Sequence, residues 1–169
     1  MQIRQETVHD RPVVDRLVTE AFKSAPHASG EEGALVAALR QGGAFLPPLS
    51  LVAEQDGEIV GHILFTQAHV GGQQVLALAP LSVKPRYQGQ GIGTALILEG
   101  HRIARELGYP YAFVLGSETY YPRVGYRPAH QLGVEAPHGI PAENLMAIQL
   151  LEGAPALRGP LVYAKEFGL

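Results

Sequence analysis

Apolar positions recur with two different periods along this chain. Residues 1–6 alternate apolar and polar, which predicts a short opening strand. Val13, Val14, Leu17, Val18, Ala21 and Phe22 then fall at helical spacing, predicting a helix to about Lys23 with Thr7 or Asp10 as cap and Pro12 in its first turn. Leu35, Val36 and Leu39 mark a second helix over 30–41, stopped by Gly42 and Gly43. The texture changes to strands at 51–54, turns through Asp56-Gly57 into 59–70, and turns again through Gly71-Gly72 into 75–83. The most regular helix follows over 91–107, with Ile92, Leu96, Gly100, Ile103 and Leu107 as its buried stripe and Gly108 and Pro110 beyond its end. A continuous apolar run, 111–115, reads as a buried strand, parallel to the strand before the helix because the helix carries the chain back. A short helix near 119–123 and strands near 145–151 and 161–165 close the chain. The predicted class is therefore mixed α/β (α+β).

Composition narrows what such a fold can do. The chain has 169 residues, 46% hydrophobic and 17% charged, which fits one domain over 1–169 and argues against disorder. It contains no cysteine, so disulfides, thiolate zinc sites and a cysteine nucleophile are excluded. A net charge of -3 gives no general attraction to nucleic acid or anionic membrane. The seven histidines lack HExxH-type spacing, and no metal is expected. No apolar run approaches the roughly 20 residues of a membrane span, and the opening residues are polar without a leader-like apolar stretch. A cytoplasmic protein is the expectation.

The chemistry is concentrated where the third long strand meets the best helix, LALAPLSVKPRYQGQGIGTALIL. Gly89, Gly91 and Gly93 allow tight turns and close backbone approach to a ligand. Unpaired N–H groups at a helix start, with the positive end of its dipole, suit a phosphate or pyrophosphate. No lysine follows the glycines, so a nucleotide-triphosphatase loop is poorly supported. A dinucleotide fingerprint would need a third glycine where Thr94 stands, and hairpin strands rather than repeated βαβ units surround the loop.

Gln88-Gly89-Gln90-Gly91-Ile92-Gly93 resembles the Q/R-x-x-G-x-G/A loop of the GNAT superfamily of N-acetyltransferases, and Leu81-Ser82-Val83-Lys84-Pro85 resembles the strand end leading into it. About 30 residues on, Tyr120-Tyr121-Pro122-Arg123-Val124-Gly125-Tyr126 is similar to the family's second signature. The likeness is clearest over 1–128, with 129–169 supplying closing strands. It implies a mostly antiparallel mixed sheet with a central splayed parallel pair and flanking helices. It further implies acetyl-CoA as cosubstrate, no metal, and transfer of the acetyl group to a small-molecule or peptide amine, with a homodimer as one expected assembly. By the same resemblance, the N–H groups of Leu81, Ser82 and Val83 pair with the pantetheine and acetyl carbonyl, residues Gln88 to Thr94 wrap the pyrophosphate, and Tyr121 is the general acid.

The base is the departure from the pattern, because residues 75–83 contain no acidic side chain. His27, Glu31, Glu32, His62, His69 and Glu118 are the alternatives; Tyr120 reads as packing and Arg123 as solvent-facing. Two rival classes stand beside the transferase: a non-catalytic acyl-CoA-binding module, motivated by the missing acid, and a dinucleotide oxidoreductase, supported only by the glycines.

Overall fold

The computed structural model describes residues 1–23 and 30–169. Its elements are β1 (Gln2–Gln5), α1 (Arg11–Phe22), α2 (Glu32–Gln41), β2 (Phe45–Gln55), β3 (Glu58–Val70), β4 (Gln73–Val83), α3 (Ile92–Glu106), β5 (Tyr111–Leu115), β6 (Arg127–Pro128), β7 (Leu145–Gln149) and β8 (Leu161–Val162). They form one sheet in the order β1-β2-β3-β4-β5-β7-β6. Every pairing is antiparallel except β4 with β5. Two-residue β8 pairs with the end of β3, taking the place β2 vacates beyond Phe45.

Alternation along the strands gives each face its own cover. Leu51, Ala53, Ile63, Phe65, Leu76, Leu78, Ala112 and Val114 pack under α3. On the other face, Val52 and Ile59 meet α1 and α2 through Val14, Leu17, Val18 and Val36. Farther along that face, Ala77, Tyr111, Phe113 and Ala147 are covered by the C-terminal segments carrying Val134, Leu157 and Leu161.

Helix α3 buries Ile92, Leu96, Ile97, Gly100, His101 and Ala104. This face is rotated from the expected stripe: Leu107, at the helix end, is 47% exposed, and His101 takes an inward position. Gly100 is required by proximity, since a Cβ there would overlap the Phe65 ring of β3.

Strand β2 starts at Phe45, six residues before the expected point. Its register slips between Phe45 and Ser50, so four residues, including the exposed Pro47 and Pro48, lie opposite Phe65 alone. Prolines cannot donate to a ladder, which is why this stretch reads as non-strand in sequence. The closing strand expected over 161–165 is shortened to β8, with a 3-10 turn at Lys165–Phe167.

Candidate functional site

The parallel pair β4–β5 is short. Its register runs Leu76 to Ala112, Ala77 to Phe113 and Leu78 to Val114, and then stops. Strand β4 continues to Val83 alongside β3, whereas the chain after β5 turns towards β7. That turn is fixed by the Gly116 N–H donating to Asn144 O (2.9 Å) and the Asn144 side chain donating to Gly116 O (3.0 Å). The two strands therefore part beyond Leu78 and Val114. At the parting, Ala79 and Pro80 of β4 face only Leu64 of β3, a bulge that holds the cis Ala79–Pro80 peptide.

Beyond the bulge, His62 opposes Ser82 and Lys84 N–H donates to Val60 O at 2.9 Å. Hydrogen-bonded and non-bonded pairs alternate in an antiparallel ladder. Ser82 therefore spends its N–H on β3, while the N–H groups of Leu81 and Val83 face the gap. The gap continues into a cleft of about 230 Å³ lined by Leu81, Val83, Tyr87, the glycine turn and Tyr120.

The glycine turn is built for close approach. Gly89 and Gly91 have φ of 77° and 87°, with no heavy atom within 4 Å of where a Cβ would stand. Gly91 is the N-cap of α3 and no side chain caps it, so the N–H groups of Ile92, Gly93 and Thr94 have no intrahelical acceptor. The Gln88 side chain donates to Val83 O (3.0 Å) and that of Gln90 to Arg86 O (3.4 Å), bracing the turn from behind. Of the residues expected to hold the cofactor, Leu81, Val83, Gln88, Gly89, Gly91, Ile92 and Gly93 line the cleft; Ser82, Gln90 and Thr94 do not.

Two lining residues escape sequence reasoning. Tyr87 is fixed by its hydroxyl donating to Glu58 (3.2 Å), which also pairs with Lys84 and Arg86. Tyr120 extends its hydroxyl to within 3.2 Å of Thr94 Oγ1, over Gly93 at the start of α3. Its neighbour Tyr121 packs edge-on between Tyr120 and Tyr126, with its ring against Gly116 at the end of β5. Burial, and then Tyr120, raises its phenol to about 12, and its hydroxyl has no hydrogen-bond partner among the described residues. The buried Tyr126 hydroxyl lies 2.9 Å from His101 Nε2, which ties this tyrosine segment to α3.

The base alternatives are scattered. His27 lies outside the described residues. Glu31 and Glu32 sit at the start of α2, exposed His69 is at the β8 end of β3, and Glu118 accepts from Asn144 at 2.9 Å. His62 is fully buried on β3, on the face opposite α3; burial, and then Arg40, pushes its imidazole down to about 3. That face also carries a larger hollow, about 840 Å³, between residues 133–140 and the C-terminal segment, with Tyr163 and Leu161 in its wall. Among the described residues no His, Cys, Asp and Glu cluster has metal-holding geometry, and no helix is long and apolar enough to cross a membrane.

Comparison with known proteins agrees with this geometry. The profile of the acetyltransferase (GNAT) family matches residues 15–133. The uncharacterized N-acetyltransferase YjhQ of Escherichia coli K12 is 39% identical over 149 residues, covering 85% of this chain and 82% of that protein. The GNAT family N-acetyltransferase YhbS from Escherichia coli, solved in complex with CoA, superposes with a TM-score of 0.89 at 29% identity, over 99% of this chain and 92% of that one. A GNAT family acetyltransferase from Brucella melitensis, solved with acetyl-CoA, gives a TM-score of 0.82 at 31% identity, over 98% and 97% of the two chains.

Proposed function

The chain belongs to the GNAT acetyltransferase family, and from that premise we propose that it transfers the acetyl group of acetyl-CoA directly to a primary amine of a small molecule or peptide. The observation that carries this reading is the parting of β4 and β5 beside the uncapped first turn of α3. A phosphate chain fits the turn, and an extended pantetheine fits the gap as a substitute strand beside Leu81 and Val83. In this reading the residues act as one domain.

The steps follow from the positions. The outward N–H of Leu81 or Val83 donates to the thioester oxygen and stabilises the negative charge that develops there. The amine nitrogen bonds to the carbonyl carbon, the C–S bond breaks, and its electron pair leaves on sulfur. A thiol titrates at about 8.5, so proton donation to the departing thiolate speeds its release. Tyr121 is assigned that donation: a phenol raised to about 12 stays protonated at neutral pH, and its hydroxyl is not committed elsewhere.

The rival reading, a CoA-binding module without turnover, draws on the absence of an acid on β4. One experiment separates them: a panel of amines with acetyl-CoA, reading both free thiol and product mass. Release of CoA matched by an acetylated amine supports the transferase. CoA binding with neither product supports the module.

A further inference from the structure

A chain of polar groups, half-exposed at Asp15 and buried from Arg40 onward, runs beneath the sheet face opposite α3 and ends close to the gap. Asp15 accepts from Arg40 at 2.8 Å, and Arg40 grips both oxygens of Glu6 at 3.1 and 2.6 Å. Ser50 Oγ donates to Glu6 Oε1 at 3.0 Å and lies 3.1 Å from His62 Nε2. The Arg40 and Glu6 side chains are 3% and 2% exposed, and His62 is 0% exposed.

The direction of these bonds fixes the histidine tautomer. The single Ser50 proton goes to the Glu6 carboxylate, which is ionised against Arg40, so Ser50 can only accept from His62. The ring proton is therefore on Nε2, and Nδ1 presents a bare lone pair. Nδ1 has no partner among the described residues, nor do the equally buried hydroxyls of Ser82 and Thr66. Buried polar groups are normally paired, so three unpartnered atoms on one face leave room for a further hydrogen-bonding group there.

These three atoms share one face and surround the bulge. His62 is directly opposite Ser82, Thr66 is opposite Ala77, and Leu64 between them faces Ala79 and Pro80. The Cβ atoms of opposed residues stand about 4.5–5.5 Å apart, so one side-chain rotation or one bridging water joins Ser82 Oγ to His62 Nδ1. Ser82 itself lies between the two residues whose N–H groups face the gap.

The geometry points to a proton relay: His62 Nδ1, held in its acceptor tautomer by Ser50, Glu6 and Arg40, receives the acceptor amine's proton through the Ser82 hydroxyl. This rests on the transferase reading above. As nitrogen bonds to the carbonyl carbon, its proton passes through one bridging water to Ser82 Oγ, which is buried beside the cleft, while the Ser82 proton passes to Nδ1. After product leaves, the imidazolium returns its proton through Ser82 to water, and water reprotonates Tyr121. His62 is a weak base, because burial and Arg40 keep it neutral. It takes a proton from the positively charged nitrogen of the tetrahedral adduct, which is more acidic than a free ammonium. The relay thus selects an amine that arrives neutral, and His62 acts as a positioning residue behind Ser82.

The test uses the full chain and the conservative pair His62→Gln and His62→Asn. Glutamine reproduces the Nε2 contact with Ser50 and removes the Nδ1 acceptor; asparagine places a polar atom near the Nδ1 position. With an amine that wild type acetylates, both variants are expected to bind CoA within twofold of wild type and to lose about 100-fold in kcat, because an amide at either position cannot take up a proton. Ser82→Ala is expected to lose a similar factor and keeps the proposal testable if the histidine variants do not fold. ¹⁵N resonances of the wild-type imidazole are expected to report the Nε2–H tautomer. An Nδ1–H tautomer overturns the relay. So do kcat values within threefold of wild type for His62→Gln or, where the histidine variants do not fold, for Ser82→Ala, or a tenfold recovery in His62→Asn, whose amide keeps a polar atom near the Nδ1 position but cannot take the proton. A wild type that binds CoA and acetylates no amine instead overturns the transferase reading, and the relay falls with it.

Discussion

Replacing Gly91 by alanine isolates the contribution of the glycine turn. Its φ of 87° is strained for any residue with a Cβ, at about 1–2 kcal/mol. For a chain of this size that lowers Tm by about 2–8 °C. The new methyl meets nothing within 4 Å, so the fold has room for it, but the room it takes is the cleft. A phosphate displaced from one charge-assisted N–H contact forfeits about 1.5–3 kcal/mol, which is about a 10- to 100-fold rise in the Kd for CoA. Titration calorimetry with CoA measures this directly. Gly108→Ala is the control: its φ is 86°, it also has open space, and it lies beyond the other end of α3, about 25 Å away. It should show the same loss in Tm and an unchanged Kd. If Gly91→Ala folds and binds CoA within twofold of wild type, the cofactor is not held on this turn.

Other expectations are narrower. Tyr121→Phe should lower kcat about 100-fold with CoA affinity unchanged; a kcat within threefold, with chemistry rate-limiting, would make the ring structural and point to Tyr120. Arg40→Met leaves the Glu6 carboxylate buried without its partner and should cost about 3–5 kcal/mol in denaturant unfolding; a loss below about 1 kcal/mol would show that the pair is not buried in solution. His62 and His101 are held near 3 and 4, each chiefly by burial, against an ordinary 6.5. The unfolded chain therefore binds more protons, so their stability contribution is complete above about pH 6.5 and shrinks as pH falls towards 4. Between pH 6 and 4.5, His101→Gln should lose stability less steeply than wild type, by up to about 1.4 kcal/mol per pH unit; parallel curves would contradict the burial of that ring.

The hairpin strands and α3 were legible because Asp56-Gly57, Gly71-Gly72 and the Gly89–Gly93 loop punctuate strong apolar periods. The parallel β4–β5 pair followed from the intervening helix. A proline such as Pro80 cannot donate to a ladder, but which N–H groups the bulge there frees depends on the register against β3, which places Ser82 inward and Leu81 and Val83 outward. Tyr87 and Tyr120 were hidden for a similar reason, because an aromatic near a glycine loop lines a cleft or a core according to tertiary packing alone. The chain from Asp15 to His62 joins residues up to 44 positions apart in a single link, and no local pattern announces such a contact. The two-residue β6 and β8 are too short to carry a period at all.

The contact between Gly100 and Phe65 sets a dimension that the cleft inherits. Helix α3 rests on the sheet at the height this glycine allows, and its first turn lies eight residues away, about 12 Å along the axis. A methyl at position 100 must lift the helix or turn the ring. Lifting tilts the glycine turn away from β4, so that, in the proposed reading, the phosphate end and the thioester end of the cofactor no longer fit together. Affinity can thus be tuned from inside the core, by the thickness of a buried layer, without touching any residue that lines the cleft.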